Sequence, residues 1–128
     1  MDRGKLSVVI PTMNEEKSIG LVIDEVRGAV GESRPLEILV IDTASKDKTR
    51  EIASEHGALV VDEPRRGYGR AYKTGFEKAS GEYIATLDAD MTYPAYEIPS
   101  LLEMLEKENL DFITTNRFAN MAQGAMSA

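Results

Sequence analysis

Residues 7–42, SVVIPTMNEEKSIGLVIDEVRGAVGESRPLEILVID, decide the fold of this chain. The stretch opens on an apolar run, Ser7-Val8-Val9-Ile10, that ends at Pro11. From Ser18 to Val30 the pattern changes: Ile19, Val22, Ile23, Val26 and Val30 recur at helical spacing, with Asp24, Glu25 and Arg27 outside. A second run, Leu36-Glu37-Ile38-Leu39-Val40-Ile41, stops at Asp42. Strand, helix and strand in succession describe a right-handed crossover between parallel strands. The runs are nearly continuous in Val, Ile and Leu rather than alternating, as expected of strands buried on both faces.

The same alternation extends outward from this unit. Ser45 reads as the N-cap of a helix from Lys46 to His56, with Gly57 just past its end. Ala58-Leu59-Val60-Val61 is a third strand, followed by a loop rich in Gly and Arg. A helix is expected over Ala71 to Ala79, closed by Gly81, then a fourth strand over Tyr83 to Leu87. A fourth helix over Pro94 to Glu108 and a short fifth strand over Asp111 to Thr115 complete the pattern. The expected architecture is α/β, a mostly parallel sheet flanked by helices on both faces. The stripes Ile19/Val22/Ile23/Val26 and Leu101/Leu102/Met104/Leu105 read as core packing. The tail from Asn116 to Ala128 shows no periodicity.

Composition narrows the chemistry. The 128 residues carry 15 Lys+Arg against 22 Asp+Glu, a formal charge of −7, which is the wrong sign for a general nucleic-acid binder. There are no cysteines, so disulfide scaffolds, thiolate metal sites and thiol catalysis are excluded. The single histidine, His56, sits at a helix end, where it reads as a capping group rather than part of a metal cluster or a Ser-His-Asp triad. No run approaches the ~20 apolar residues that cross a bilayer, and the stretch from Met1 to Lys5 has no signal-peptide character, so a cytoplasmic location is expected.

In an open α/β sheet ligands bind beyond the carboxyl ends of the strands. The segments there are Pro11 to Glu16, Asp42 to Ser45, Asp62 to Arg70 and Asp88 to Thr92. Asp88-Ala89-Asp90 is the sharpest of them. Carboxylates at i and i+2 on extended chain share a face and suit a hard cation, Mg²⁺ or Mn²⁺; the bland reading is two solvated loop carboxylates. Asp42 serves either as a helix cap or as an acceptor for a base N–H or ribose hydroxyl. Arg65, Arg66, Gly67, Gly69, Arg70 and Lys73 form a cradle suited to phosphate, or else a solvated basic loop. Gly67-x-Gly69-x-x-Tyr72 is not a dinucleotide fingerprint, because it lacks the third glycine and does not follow the first strand.

Four ordered stretches, Val9 to Glu16, Val40 to Thr49, Arg66 to Phe76 and Leu87 to Pro94, together resemble the inverting glycosyltransferases of family 2, whose catalytic domain has the GT-A fold. The Gly-x-Gly-x-Ala-Tyr and Asp-Ala-Asp-x-x-x-Pro forms look closest to the dolichyl-phosphate mannose synthase and polyprenyl-phosphate glycosyltransferase branch. The resemblance implies a Rossmann-like GT-A half-domain over residues 1–115 that binds the nucleotide-sugar donor. It implies that 116–128 begin an acceptor region the chain does not complete, so that this form is expected to bind donor but transfer little.

The resemblance also implies site residues. Pro11, Asn14, Glu15, Asp42, Ser45, Arg66, Gly69, Lys73 and Asp88 would contact the nucleotide, and Asp88 and Asp90 would hold Mg²⁺ or Mn²⁺. Asp90 and Arg117 would be catalytic, with Arg117 facing the acceptor phosphate. The implied partners are a UDP- or GDP-sugar and a polyprenyl phosphate or other acceptor at a membrane surface. Separately, a half-domain would expose apolar surface that could pair with a second copy in a homodimer. The location would then be cytoplasmic and peripheral to the membrane. Asp42-Thr43-Ala44-Ser45 departs from the family's usual Asp-Asp-Gly-Ser form. One alternative is a nucleotide-sugar-binding module without turnover. Another, a haloacid-dehalogenase-like phosphatase using Asp88-Ala89-Asp90-Met91-Thr92, needs that motif after the first strand rather than the fourth.

Overall fold

Seven residues, Leu6–Thr12, form β1, and every one is buried. Full burial follows from position. In this computed structural model, which describes residues 4–90, 98–100 and 112–114, β1 is the middle of a five-stranded sheet of order β3-β2-β1-β4-β5. Its neighbours are β2 (Leu36–Asp42) and β4 (Tyr83–Thr86); β3 (Leu59–Asp62) and β5 (Phe112–Thr114) lie at the two ends of that order, and every pairing is parallel.

The period of two along β1 sends alternate side chains to opposite layers. Leu6, Val8 and Ile10 join the larger core cluster with Ile19, Val22, Ile23, Val26 and Val30 of α1 (Ile19–Val30) and Ala53 of α2 (Thr49–Glu55). Each large apolar side chain buried there contributes on the order of 1.5–3 kcal/mol relative to exposure. Val9 faces the other way and packs with Leu39, Ile41 and Ala71, the last from α3 (Tyr68–Lys78). A parallel sheet with helices on both faces is the expected architecture.

The chain crosses to β2 on one side of β1 and later to β4 on the other, so the strand order reverses at β1. The loops after β1 and β4 therefore diverge and leave a crevice. Pro11 contributes to it. The strand does not stop there, as the sequence suggests, but runs through to Thr12. Leu87 N donates to Val9 O on the β4 side, so by ladder parity position 11 also points to β4. Proline has no N–H to offer, and the register with β4 ends at the Val9–Thr86 pair.

Helix boundaries differ from expectation. Helix α2 begins at Thr49 rather than Lys46, because the expected cap, Ser45, bonds Asp42 instead. Helix α3 begins at Tyr68 rather than Ala71, so Gly69 and Arg70 lie on the helix and not in the loop, while Lys73 is on the helix as expected. It ends at Lys78, with Ala79 extended; Gly81 serves not as its cap but as a point of close approach, where a Cβ would come within 2.7 Å of Ser7 N. Gly57 follows α2 with φ of 91°, as expected of a residue past a helix end. His56 closes α2 and pairs through Nδ1 with Asp24 at 2.8 Å. Most of the fourth helix, its apolar stripe, Arg117 and the tail lie outside the described residues.

Candidate functional site

The loops after β1 and β2 are stitched together by side chains. Asp42 closes β2 with its side chain fully enclosed. Its Oδ1 accepts from Thr12 Oγ1 and Ser45 Oγ, both at 2.6 Å, and its Oδ2 from Ser45 N at 3.0 Å and Arg50 Nε at 2.7 Å. Burial alone would raise its pKa, but these bonds outweigh it and hold the carboxyl below its ordinary range. Asn14, in the left-handed region at φ 57°, donates its N–H to Ser45 Oγ (2.7 Å) and accepts Lys46 N through Oδ1 (2.8 Å). Glu15 N reaches Thr49 Oγ1 at 2.8 Å, and Glu16 N reaches Asp47 Oδ2 at 3.2 Å.

A second carboxylate organises the basic segment. Glu63 is buried, and its oxygens accept from Arg65 Nε (2.8 Å), Arg65 Nη2 (2.9 Å), Arg65 N (3.0 Å) and Thr74 Oγ1. The bonds from Arg65, then Thr74, pull its pKa down to about 2. Arg65 is thereby committed to Glu63. Arg66 is not among those bonds and lines the cleft, beside Gly67 at φ 111° and an α3 start that no side chain caps. An uncapped helix start with its first N–H groups pointing outward favours an anion.

Between the two segments lies a cleft of about 230 Å³, lined by Pro11, Thr12, Met13, Glu15, Thr43, Arg66, Gly67 and Ala71. Sites for drug-sized ligands run to about 300–1,000 Å³. The cleft therefore suits a fragment the size of a nucleobase.

Past β4, Ala89 buries its methyl in the main core, while Asp88 is half-buried and Asp90 exposed. The carbonyl of Ala89 accepts from Ser18 Oγ at 2.5 Å. Burial, then the charges of Asp90, Asp47 and Asp88, raise the pKa of Glu15. The acidic loop after β4 and the loop after β1 thus share one electrostatic environment. Among the described residues no three His, Cys, Asp or Glu side chains converge on one metal point. Asp88 and Asp90 offer two carboxylates as hard oxygen donors, which fits Mg²⁺ or Mn²⁺ completed by water and phosphate oxygens.

Pro11, Glu15 and Arg66 thus meet at the cleft. Asn14, Asp42 and Ser45 stand behind it, in the hydrogen-bond network that supports it. Gly69 and Lys73 are on α3 and do not line it, nor do Asp88 and Asp90. The strand-end segments included Thr12, Met13, Thr43 and Glu63 without naming the first three as lining or Glu63 as a support, and Ser18 lay outside them. The pattern Ser45-x-Asp47-x-Thr49 after a strand was the available signal for the network, since such side chains bond nearby backbone.

The model of the family described as glycosyl transferase family 2 matches residues 7–124. A relative from Haloferax volcanii named low-salt glycan biosynthesis hexosyltransferase Agl6 is 42% identical over 112 residues, 88% of this chain and 27% of that one. The undecaprenyl-phosphate 4-deoxy-4-formamido-L-arabinose transferase of Pectobacterium carotovorum is 36% identical over 110 residues, 80% of this chain and 34% of that one. This chain therefore spans about a third of the length of these relatives. Among solved structures, glucosyl-3-phosphoglycerate synthase from Mycobacterium tuberculosis, in complex with Mn²⁺, UDP and glucosyl-3-phosphoglycerate, aligns with a TM-score of 0.70 at 31% identity, covering 80% of this chain and 39% of that one. The same synthase is also solved with Mg²⁺ and UDP. With the match covering nearly the whole sequence, the chain belongs to glycosyl transferase family 2.

Proposed function

We propose that this chain forms the donor-binding part of an enzyme that moves a hexose from a nucleoside-diphosphate sugar, UDP before GDP, to an acceptor bearing a phosphate, in first place a polyprenyl phosphate. The observation that carries this reading is the crevice itself. A base-sized cleft with Arg66 on its wall opens beyond the carboxyl ends of β1 and β2, beside the start of α3. The aspartate pair suited to a cation, in the loop after β4, acts electrostatically on Glu15 in that cleft. The base would lie between Pro11 and Arg66, the diphosphate toward Arg66 and the start of α3, and Asp88 and Asp90 on the far side. The acceptor class is supported by the likeness to the undecaprenyl-phosphate 4-deoxy-4-formamido-L-arabinose transferase. The mycobacterial synthase, solved with glucosyl-3-phosphoglycerate, supports the shared feature, a phosphate.

The reaction forms a bond between an acceptor oxygen and the anomeric carbon while the bond to the diphosphate breaks. Negative charge then collects on the departing nucleoside diphosphate. Arg66 and the uncapped start of α3 stabilise it electrostatically. Asp88 and Asp90 would hold a divalent cation, which when bound supplies further positive charge to the same group. A phosphate acceptor is already an anionic nucleophile and needs no general base. Arg117, outside the described residues, would face that acceptor. No helix among the described residues is long and apolar enough to cross a membrane.

Titration with UDP and GDP in Mn²⁺ and in EDTA tests the donor assignment. Wild type should bind UDP more tightly in Mn²⁺, and Asp90→Ala should lose at least ~1.4 kcal/mol of that affinity, a tenfold change. Equal binding in EDTA would remove the metal from the reading. In a chain of its relatives' length, Arg117→Ala should lower transfer to polyprenyl phosphate while leaving nucleotide affinity unchanged; transfer at the wild-type rate would remove the lipid-phosphate acceptor.

A further inference from the structure

Ser18 occupies the position before α1 where a serine ordinarily caps a helix, yet its side chain makes no capping bond. Its backbone is already helical, at φ −116° and ψ −24°, and its hydroxyl instead donates 2.5 Å to the carbonyl of Ala89. That carbonyl sits between Asp88 and Asp90. The ladder between β1 and β4 has ended by this point, with Leu87 N to Val9 O as its outermost bond. The acidic loop beyond it is pinned by Ala89, whose methyl is buried in the core and whose oxygen is held by Ser18.

We infer that Ser18 is a positioning residue for the aspartate pair, fixing the loop so that Asp88 and Asp90 face a cation-bound diphosphate. Ser18 also belongs to the turn that carries Glu15. Its own N–H and that of Ile19 both bond Glu15 O, at 3.1 and 2.9 Å. One residue thus links the loop lining the cleft to the loop bearing the carboxylates, and a displacement of either is passed to the other. Carboxylate ligands held to within about 0.5 Å bind without reordering the loop. The inference rests on the metal reading of Asp90 given above.

Calorimetric titration of UDP into wild type, Ser18→Ala, Ser18→Gly, Ser18→Thr and Asp90→Ala, each in Mn²⁺ and in EDTA, separates the possibilities. Both variants lacking the hydroxyl should lose about fivefold of the Mn²⁺-supported affinity, the scale of one hydrogen bond, with affinity in EDTA unchanged. Ser18→Thr should restore wild-type binding. The signal of Mn²⁺ by electron paramagnetic resonance should report weaker Mn²⁺ binding in the same two variants and not in Ser18→Thr. If Ser18→Ala and Ser18→Gly keep full Mn²⁺-supported affinity, or lose affinity equally in both buffers, while Asp90→Ala loses its Mn²⁺ dependence, the positioning role is overturned alone. If Asp90→Ala keeps its Mn²⁺ dependence, the metal reading falls and the positioning role with it.

Discussion

The loop from Asp42 to Thr49 and the segment from Glu63 to Gly67 are both polar, both follow a strand, and both are organised by one buried carboxylate. They use it differently. Asp42 is held by Thr12, Ser45 and Arg50, of which Thr12 lines the cleft and the other two support it from behind. Glu63 binds the neighbour of the residue that reaches the cleft, holding Arg65 aside while Arg66 faces inward. A buried carboxylate can therefore brace a site or aim a neighbouring side chain, and only its bond list tells which.

The largest expected effect comes from breaking the brace. Asp42→Ala orphans two hydroxyls and half of the bonding of Arg50, and should lower unfolding free energy by about 3 kcal/mol in urea denaturation. A loss under about 1 kcal/mol would mean the network is dispensable. Acid should act on both segments in the same direction. The native-state pKa values of Asp42 and Glu63 are both depressed. Their stabilisation is present above the ordinary carboxylate range and is lost as pH falls, for Glu63 between 4.5 and about 2. Thermal melts across that range should be steeper in pH for wild type than for Glu63→Gln; superimposable profiles would contradict the buried pairing.

The aiming role predicts an asymmetry between adjacent arginines. Arg66→Ala should weaken UDP binding by about tenfold, the scale of a charge-assisted hydrogen bond. Arg65→Ala should mainly lower the melting temperature and weaken UDP less. The reverse order would transfer the cleft-facing role to Arg65. The smallest effect concerns Ala44, exposed and left-handed at φ 49°. A Cβ is disfavoured there, so Ala44→Gly should stabilise the chain by about 0.5–1 kcal/mol, and a destabilised variant would show that the strain is compensated.

The strands were legible because a parallel sheet buries both faces, which leaves unbroken apolar runs such as Leu36 to Ile41. Helix starts were less legible, because a cap depends on which partner claims its hydroxyl. Ser45 looks like a cap until Asp42 takes it. Tyr68 to Arg70 looks like loop because Gly67 precedes it and Gly69 interrupts it, yet α3 forms there because Ala71 packs on the sheet and Gly75 sits directly against Val9. At the site, strand-end logic found Pro11, Glu15 and Arg66. It could not find the enclosure of Asp42, which depends on Thr12, thirty positions away.

The position of β1 has a consequence in time as well as in space. Leu6 pairs with Leu36 on one side and with Tyr83 on the other. At a synthesis rate of about 5–20 residues per second, the second partner follows the first strand by roughly 4–15 s. Through that interval the most deeply buried strand of the protein has one edge bare, carrying Val8, Val9 and Ile10. An open apolar edge is a template for any other chain nearby. The strand that later anchors the crevice is thus, while the ribosome is still working, the part of the molecule most in need of company.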